Sequence, residues 1–563
     1  MRWRVHYCYL PDSERIMFTH TTAQSLPVKT FNLSLIVSAL LLTGCASVET
    51  LPLSSQNINS QAQSDRSQAQ LDVEPITGVL SLEEAIARGL KYNLERRTRL
   101  MEEAIAFNQL DVSRYDMLPK LVASAGYHSR SENATSRAED SITGQPSLAN
   151  PFISSEKTHT SSDLGLTWNL LDFGLSYYGA KQNADRALIA VERRRKAMHI
   201  LIQDVRTAFW RTASAQKLRA DVKNAITLTM DALADARKAE DERLRSPIDS
   251  LRYQRQVLEN LRQLEMVEQE LSTAKIELAN LINAPLAQDI RVAEPSITPN
   301  QRMLALPVAA LEEVAIARNA DLREQFYNTR IASEETRKTL VRLFPNLSLN
   351  YTLKYDTDKY MVNNQWNEAG AQLSFNLLNL LSAPAQKRLA EAGVVLADQR
   401  RMATQMAILA QVHIARLQYA NALQQFERAD AIWSVDERIN QHMANREQAQ
   451  AASKLDKVSN STTAILSLLR RYQALAQANA AASRLQATLG MEPDLGSVQD
   501  TSLAELKTAI GSAIKNWDNA ELPASEPAKP APEAAPKAQA APAAPAAPVA
   551  SVDLPLPEKV ASW

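Results

Sequence analysis

Two segments of this chain, about 200 positions apart, have almost the same sequence. Leu-Thr-Trp-Asn-Leu-Leu begins at Leu166, and Leu-Ser-Phe-Asn-Leu-Leu begins at Leu373. In each copy a run of alternating apolar and polar residues comes before the motif, and a helical pattern of roughly 70 residues follows it. The pattern indicates one unit used twice, and each unit carries a small β-hairpin between long helices.

The spacing of glycine supports long helices. Only 13 of the 563 residues are Gly, and none occurs between Gly179 and Gly370 or between Gly393 and Gly490. Because Gly is unfavourable inside helices and common in turns, these gaps predict few loops. The scarcity of Gly also argues against the glycine-rich loops that hold phosphates in nucleotide-binding enzymes.

The composition argues against an enzyme and against a nucleic-acid-binding protein. Charge is balanced, with 62 basic and 63 acidic residues, and none of the seven His residues has a convincing metal-ligand spacing. The sequence has neither a nucleotide-binding loop motif nor a nucleophile elbow. We therefore predict no catalytic site, no metal and no cofactor. No apolar stretch reaches the 18 residues that would predict a membrane-spanning helix.

The N-terminal region has the pattern of a signal peptide. Phe31–Leu42 is an apolar run of suitable length, and the Leu-Thr-Gly-Cys sequence that ends at Cys45 resembles a bacterial lipobox. In that motif the cysteine is lipidated and becomes the N-terminus, which predicts a lipid anchor at Cys45. By the same resemblance, Ala46 after the cysteine indicates the outer membrane. A buried cysteine in a short helix is the alternative, and Met17 is an alternative translation start.

Composition and hydrophobic periodicity divide the chain into seven segments. They are a signal peptide at 1–44, a flexible tether at 45–79, a first repeat at 80–290, a connector at 291–306, a second repeat at 307–495, a short helical segment at 496–520 and an Ala/Pro-rich disordered tail at 521–563.

Each predicted repeat contains two strands between its helices. The strands are predicted from period-two alternation at about 119–130, 160–171, 345–356 and 368–378. Phe344 lies 226 positions after Leu118, whereas Asp456 lies 207 positions after Asp249. The offset thus falls by 19 residues. Because loops accept insertions more easily than helices do, this fall indicates that the first hairpin loop is 19 residues longer than the second.

Strands with one apolar and one polar face are typical of a membrane barrel with a wet interior. An open sheet edge leaves backbone groups unsatisfied in lipid, so a membrane sheet must close. Four strands are too few to close, since known barrels have eight or more. The sequence therefore predicts that several chains share one barrel, while the long helices leave it on one side as a tube.

The chain resembles the TolC family of outer-membrane efflux proteins. The resemblance depends on Ser81–Ile86 with Asn93, on Leu118-Pro119, on Trp168–Gly174, and on the second-unit counterparts of these motifs. Each motif alone is weak, but their order and duplication are specific, and they cover about residues 80–495.

This resemblance implies a mainly α fold with a membrane β-barrel contribution, made of two tandem repeats. It implies a homotrimer with a shared twelve-stranded barrel and an α-helical periplasmic tunnel. The implied partners are a periplasmic adaptor and an inner-membrane pump, either of the resistance-nodulation-division type or an ABC transporter. The cargo stays open between small molecules and proteins exported by type I secretion.

The same resemblance places acidic residues at the tunnel entrance, where helix turns lie far from the membrane. Asp456 falls where the family often has an entrance aspartate, and Asp249 is its repeat equivalent. Ser459 stands where a second aspartate is common, so the predicted ring is weaker. Arg243 and Gln450 replace the usual tip glycines. The alternative is that these aspartates only cap or solvate helix turns.

Two further groups of residues have alternative interpretations. Trp168 and Phe375 are candidates for an aromatic belt at the membrane interface, or for packing between barrel and tunnel. The run Arg193–Lys196 is interpreted as a solvated helix face.

A periplasmic adaptor or a helical scaffold lipoprotein without a pore is the alternative function, although neither class explains two duplicated hairpins.

Overall fold

The computed structural model describes residues 52–137, 139–146, 151–242, 246–286, 288–294, 301–448, 454–493 and 495–522. Within these ranges the protein is mainly helical and contains a small amount of sheet. No helix in the described ranges combines the length and apolarity needed to cross a membrane. The predicted signal peptide, Met17, Cys45 and most of the predicted tail lie outside the described residues.

The first described element is helix α1 (Ser55–Gln70), which lies inside the predicted flexible tether. None of its residues is buried. Ser54 Oγ accepts the Asn57 N–H at 3.1 Å, and Gln61 bonds to Asp65 at 2.7 Å. Local hydrogen bonds and helix-forming Gln and Ala residues therefore order this segment. Composition alone therefore did not predict this helix.

The elements of the two halves follow the same order. Those of the first half are β1 (Val79–Leu80), α2 (Leu82–Tyr92), α3 (Leu94–Tyr115), β2 (Lys120–Ser129), β3 (Ala134–Ser136), β4 (Phe152–Ser155), β5 (Thr158–Asn169), α4 (Leu170–Asp241) and α5 (Pro247–Leu281). Those of the second half are β6 (Arg291–Val292), a 3₁₀ helix (Arg302–Ala305), α6 (Val308–Arg318), α7 (Ala320–Val341), β7 (Asn346–Asp356), β8 (Gln365–Ser374), α8 (Asn379–Gln448), α9 (Lys454–Thr488) and α10 (Leu503–Asp518).

The ends of equivalent helices in the two halves are separated by the same two offsets, 226 and 207 positions, as the sequence motifs. Both ends of α2 and α3 recur 226 positions later in α6 and α7, and both ends of α5 recur 207 positions later in α9. The ends of α5 and α9 also share a backbone conformation, since Asn283 and Gly490 have φ of +53° and +67°. A Cβ at Gly490 would lie 2.6 Å from the Arg318 carbonyl oxygen, so this position requires glycine.

The structure differs from the predicted strands and loop in several places, including the starts of β5 and β8 at Thr158 and Gln365. Leu170 and Leu171 begin α4 instead of ending a strand, because Asn169 Oδ1 accepts the Asp172 N–H at 3.0 Å and caps the helix. Strand β8 ends at Ser374, so Phe375 lies directly after the strand and not within it. The loop predicted between the first two strands contains a small hairpin of β3 and β4.

Two asparagines separate consecutive helices. Asn93 separates α2 from α3, and Asn319 separates α6 from α7, with ψ of 126° at both. Asn319 Oδ1 accepts the Asp321 and Leu322 N–H groups at 2.9 and 3.2 Å, while Nδ2 donates to the Thr488 carbonyl at 3.0 Å. Each carboxamide therefore starts one helix and binds the end of another.

Replacing Asn319 with Ala is expected to lower the free energy of unfolding by about 1–3 kcal/mol, since buried N–H and C=O groups lose their partner. The change is measured as the midpoint of thermal loss of helical circular dichroism at fixed protein and detergent concentrations. Asn108→Ala, at an exposed position of α3, is the matched control. Equal midpoints for the two variants would contradict this assignment.

Helix α10 lies between two apolar clusters. One cluster contains Leu90, Phe209 and Leu278 together with Leu506 and Ile510 of α10. The other contains Leu311, Leu322, Tyr419 and Leu485 together with Trp517 at the other end of α10. The short helix predicted at 496–520 therefore packs against both halves of the chain.

Candidate functional site

The four long strands form one antiparallel sheet in the order β2–β5–β7–β8. The adjoining helices pack in the same order, because α3 contacts α4, α4 contacts α7 and α7 contacts α8. Each strand therefore continues into its own helix. The sheet is not closed, and β2 and β8 are its two edges.

Side-chain exposure in the two central strands, β5 and β7, is opposite to that of a water-soluble sheet. In β5 the polar or small residues His159, Ser161, Asp163 and Gly165 are partly shielded, while alternate apolar residues are exposed. Leu164, Leu166 and Trp168 are 41%, 42% and 39% exposed. A soluble antiparallel sheet buries its apolar face against a core and solvates the other. Here the apolar face is exposed and the polar face is partly shielded.

The same arrangement extends across the neighbouring strand. Leu353, Tyr351 and Leu349 of β7 pair in register with Leu164, Leu166 and Trp168 and are 39–44% exposed. Thr352 and Lys354 on the opposite face are partly shielded. The apolar side chains thus form one continuous exposed surface. An apolar surface of this kind is typical of a sheet face that contacts lipid.

The two aromatic candidates lie at the helix end of the sheet but differ in setting. Trp168 is the penultimate residue of β5, and its ring lies edge-on to Phe173 in the first turn of α4, with centroids 6.0 Å apart. Phe375 lies one residue beyond β8 and is 37% exposed. Both interpretations of these residues, interface belt and junction packing, therefore stay open.

The acidic candidates lie at the opposite ends of the long helices. At 1.5 Å per residue, the 72 residues of α4 separate them from the sheet by about 100 Å. Asp249 and Asp456 occupy the first turns of α5 and α9, where a carboxylate also interacts favourably with the helix dipole. Both are exposed, and Ser459 is partly exposed.

A small apolar cluster holds these helix ends together. Val458 of α9 packs with Ala232 and Leu233 of α4 and with Val257 of α5, and all four are buried. The cluster fixes the start of α9 against the first helix pair. Arg243 and Gln450, which replace the expected tip glycines, lie outside the described residues.

Solved structures with the same arrangement are outer-membrane channels. The CmeC channel of Campylobacter jejuni matches with a TM-score of 0.57 at 12% identity, over 82% of this chain and 96% of that one. The outer-membrane channel OprN matches with a TM-score of 0.56 at 16% identity, over 73% of this chain and 89% of that one. The open MtrE channel of Neisseria gonorrhoeae matches with a TM-score of 0.54 at 15% identity, over 73% and 88%.

This chain has the fold of these solved outer-membrane channels. The resemblance inferred from the sequence is thereby confirmed at the level of the fold. Neither a protein-family model nor a curated protein matches the sequence.

The basic run of α4 is an ion-pair network in which Arg193 and Lys196 are exposed, as a solvated helix face predicts, whereas Arg194 and Arg195 are largely shielded. Arg193 pairs with Glu324 at 2.7 Å and Lys196 with Asp321 at 2.8 Å, both on α7. Arg194 pairs with Glu103 of α3. One turn of α4 therefore binds the helices on both of its sides.

Arg195 is the buried centre of this network. Its guanidinium bonds to both Glu492 oxygens, with contacts between 2.7 and 3.0 Å, and to Glu192 one turn earlier. Glu192 also accepts from Arg323 of α7 at 2.7 Å. Burial opposes the charged form, but the bonds and charge of Glu492 and Glu192 raise the pKa of Arg195 above its ordinary value.

His199 lies one turn beyond Arg195 and is also buried. Burial and the nearby Arg195 and Arg318 charges lower its pKa to about 4, and Glu492 only partly offsets them. Its Nε2 has no hydrogen-bond partner among the described residues. The imidazole is therefore neutral at pH 7, and the sequence offered no signal for this beyond the adjacent basic run.

Proposed function

We propose that this protein is the outer-membrane channel of an export system, a passive conduit from the periplasm to the exterior. The exposed apolar face of the sheet carries the proposal, because a bilayer is the environment that such a face fits. The likeness to solved outer-membrane channels supports it. A periplasmic adaptor or a scaffold without a pore would have no use for this face.

The proposed assembly is a homotrimer. Both edges of the sheet, β2 and β8, carry unpaired backbone groups that lipid cannot satisfy. Three copies of four strands give a twelve-stranded barrel, which is within the range of known barrels. In this assembly the exposed apolar residues of α8, such as Leu389, Met406 and Ile432, are available to a neighbouring copy.

The remaining parts of the proposal concern attachment and partners. Lipid on Cys45 would anchor the mature chain in the outer membrane, and the two halves of the chain would be repeats of one unit, as their shared helix ends support. A periplasmic adaptor and an inner-membrane pump, of the resistance-nodulation-division or ABC type, would supply the energy. The proposed segments are a tether at 45–79, repeats at 80–290 and 307–495, a connector at 291–306 and a short helical segment at 496–520.

The experiment is planar bilayer recording of detergent-extracted protein whose mass has been determined by native mass spectrometry. We expect a trimer that produces discrete conductance steps. A monomer, or a trimer that does not conduct, would contradict the proposal and favour an adaptor or scaffold.

We also propose that Asp456 contributes to an acidic ring at the periplasmic entrance. A trivalent cation that is bound by a ring of carboxylates blocks the pore. Asp456→Ala is expected to weaken block by hexamminecobalt by at least about tenfold, and Asp249→Ala to weaken it less. The measurement is the blocking concentration in the same bilayer recordings. Unchanged block in Asp456→Ala would remove this residue from the ring.

A further inference from the structure

The polar face of the sheet carries charged side chains within two residues of one level. Ser124 pairs in register with Asp163, and Asp163 pairs in register with Lys354. Ser124 Oγ donates to Asp163 Oδ2 at 3.3 Å, and Lys354 Nζ lies 2.7 Å from Glu368 Oε2. Side chains from all four strands therefore meet in a band that crosses the sheet.

The band has one cation for two carboxylates. Lys354 lies between Asp163 on β5 and Glu368 on β8, and its Nζ is 6.0 Å from the ring centroid of Trp366. The side chains of Lys354 and Glu368 are 34% and 54% exposed, so solvent and passing ions reach them. Asp163, Lys354 and Glu368 thus carry a net charge of minus one in each chain, while Asp356, two residues further along β7, pairs with His159.

The charges are not explained by a need to hold the sheet together. The three strand pairs have continuous backbone registers on both sides of the band. A partly exposed ion pair on such a surface adds little to stability. A ring of like net charge within a barrel does, however, change the local concentration of ions.

We propose that Asp163, Lys354 and Glu368 form a charge filter in the barrel that favours cations. The inference rests on the proposed function, because it requires three copies with their polar faces around one pore. The filter then holds six carboxylates and three ammonium groups, a net charge of minus three. It lies at the barrel end of the conduit, about 100 Å from Asp456 at the other end.

The test is the reversal potential of single trimers in a planar bilayer under a potassium chloride gradient. Lys354→Gln makes the net charge of the band minus six, and the permeability ratio of potassium to chloride is expected to rise at least about twofold. Asp163→Asn with Glu368→Gln makes it plus three, and the ratio is expected to fall by at least about the same factor. Asp163→Asn alone keeps the Lys354–Glu368 pair and replaces the double variant if the latter does not insert.

Asp72→Asn is the matched control, because it removes one carboxylate from an exposed segment away from the sheet. Its permeability ratio should equal that of the wild type. Conducting variants that all keep the wild-type ratio would overturn the filter and leave the channel intact. A wild-type protein that does not conduct would overturn the proposed function and this inference together.

Discussion

Replacing Arg195 with Met is expected to lower the free energy of unfolding by about 3–5 kcal/mol, because it leaves the Glu492 carboxylate without its ion-pair partner and the buried Glu192 with Arg323 alone. Glu192 and Glu492 have side chains only 4% and 16% exposed, and both bond to the Arg195 guanidinium. Met fills a similar volume, so the loss comes from the unpaired charges more than from a cavity. The measurement is the thermal midpoint of helical circular dichroism at fixed protein and detergent concentrations.

Lys196→Met is the control for this prediction. Lys196 is the next residue in the sequence and also pairs with a carboxylate, but that pair is 51% and 43% exposed. An exposed pair contributes about 0–1 kcal/mol, so this variant should stay close to the wild type. If both variants shift the midpoint equally, Arg195 is not the centre of the network.

Acidification from pH 6.5 to pH 4 is expected to remove on the order of 3 kcal/mol of stability through His199 alone. The unfolded chain protonates this histidine near its ordinary pKa of 6.5, whereas burial and the Arg195 and Arg318 charges lower the native pKa to about 4. The unfolded state therefore binds more protons throughout this window. The contribution is complete above pH 6.5 and is lost as the pH falls towards 4.

His199→Gln isolates this effect. Other groups also titrate below pH 6, so a single variant's midpoint at low pH is not informative. The measured quantity is the shift in thermal midpoint between pH 7 and pH 4.5, and this shift is compared between His199→Gln and the wild type. The shift should be smaller in His199→Gln than in the wild type. His442→Gln, at an exposed position of α8, should behave as the wild type does. The same pH dependence in all three proteins would show that His199 is not buried as described.

Local sequence signals predicted the parts of the fold that depend on the backbone. Leu118-Pro119 and Phe344-Pro345 end helices directly before β2 and β7, since the residue before proline disfavours helical geometry. Proline also starts α5 at Pro247, where its missing N–H costs nothing. Strand alternation predicted which residues of β5 share a face.

Features that depend on distant partners could not be predicted in this way. Asn93 and Asn319 break helices because their carboxamides also bind helix ends 188 and 169 positions away. Arg193–Lys196 looks like any solvated run until Glu103, Glu324 and Glu492 are brought beside it. A charge pattern gives the residues of such a network but not their partners.

In the proposed channel the apolar face of the sheet contacts lipid and the polar face lines a pore. Nitroxide labels placed one at a time along β5, from Ser162 to Trp168, in protein reconstituted into bilayers distinguish the two faces. Oxygen concentrates in lipid, and a nickel chelate stays in water, so the ratio of their collision rates reports the surroundings of each label.

We expect a period of two in this ratio, with oxygen favoured at positions 164, 166 and 168 and the nickel chelate favoured at 163, 165 and 167. A flat profile that favours the nickel chelate at every position would show that the sheet lies in water. That result would contradict the channel.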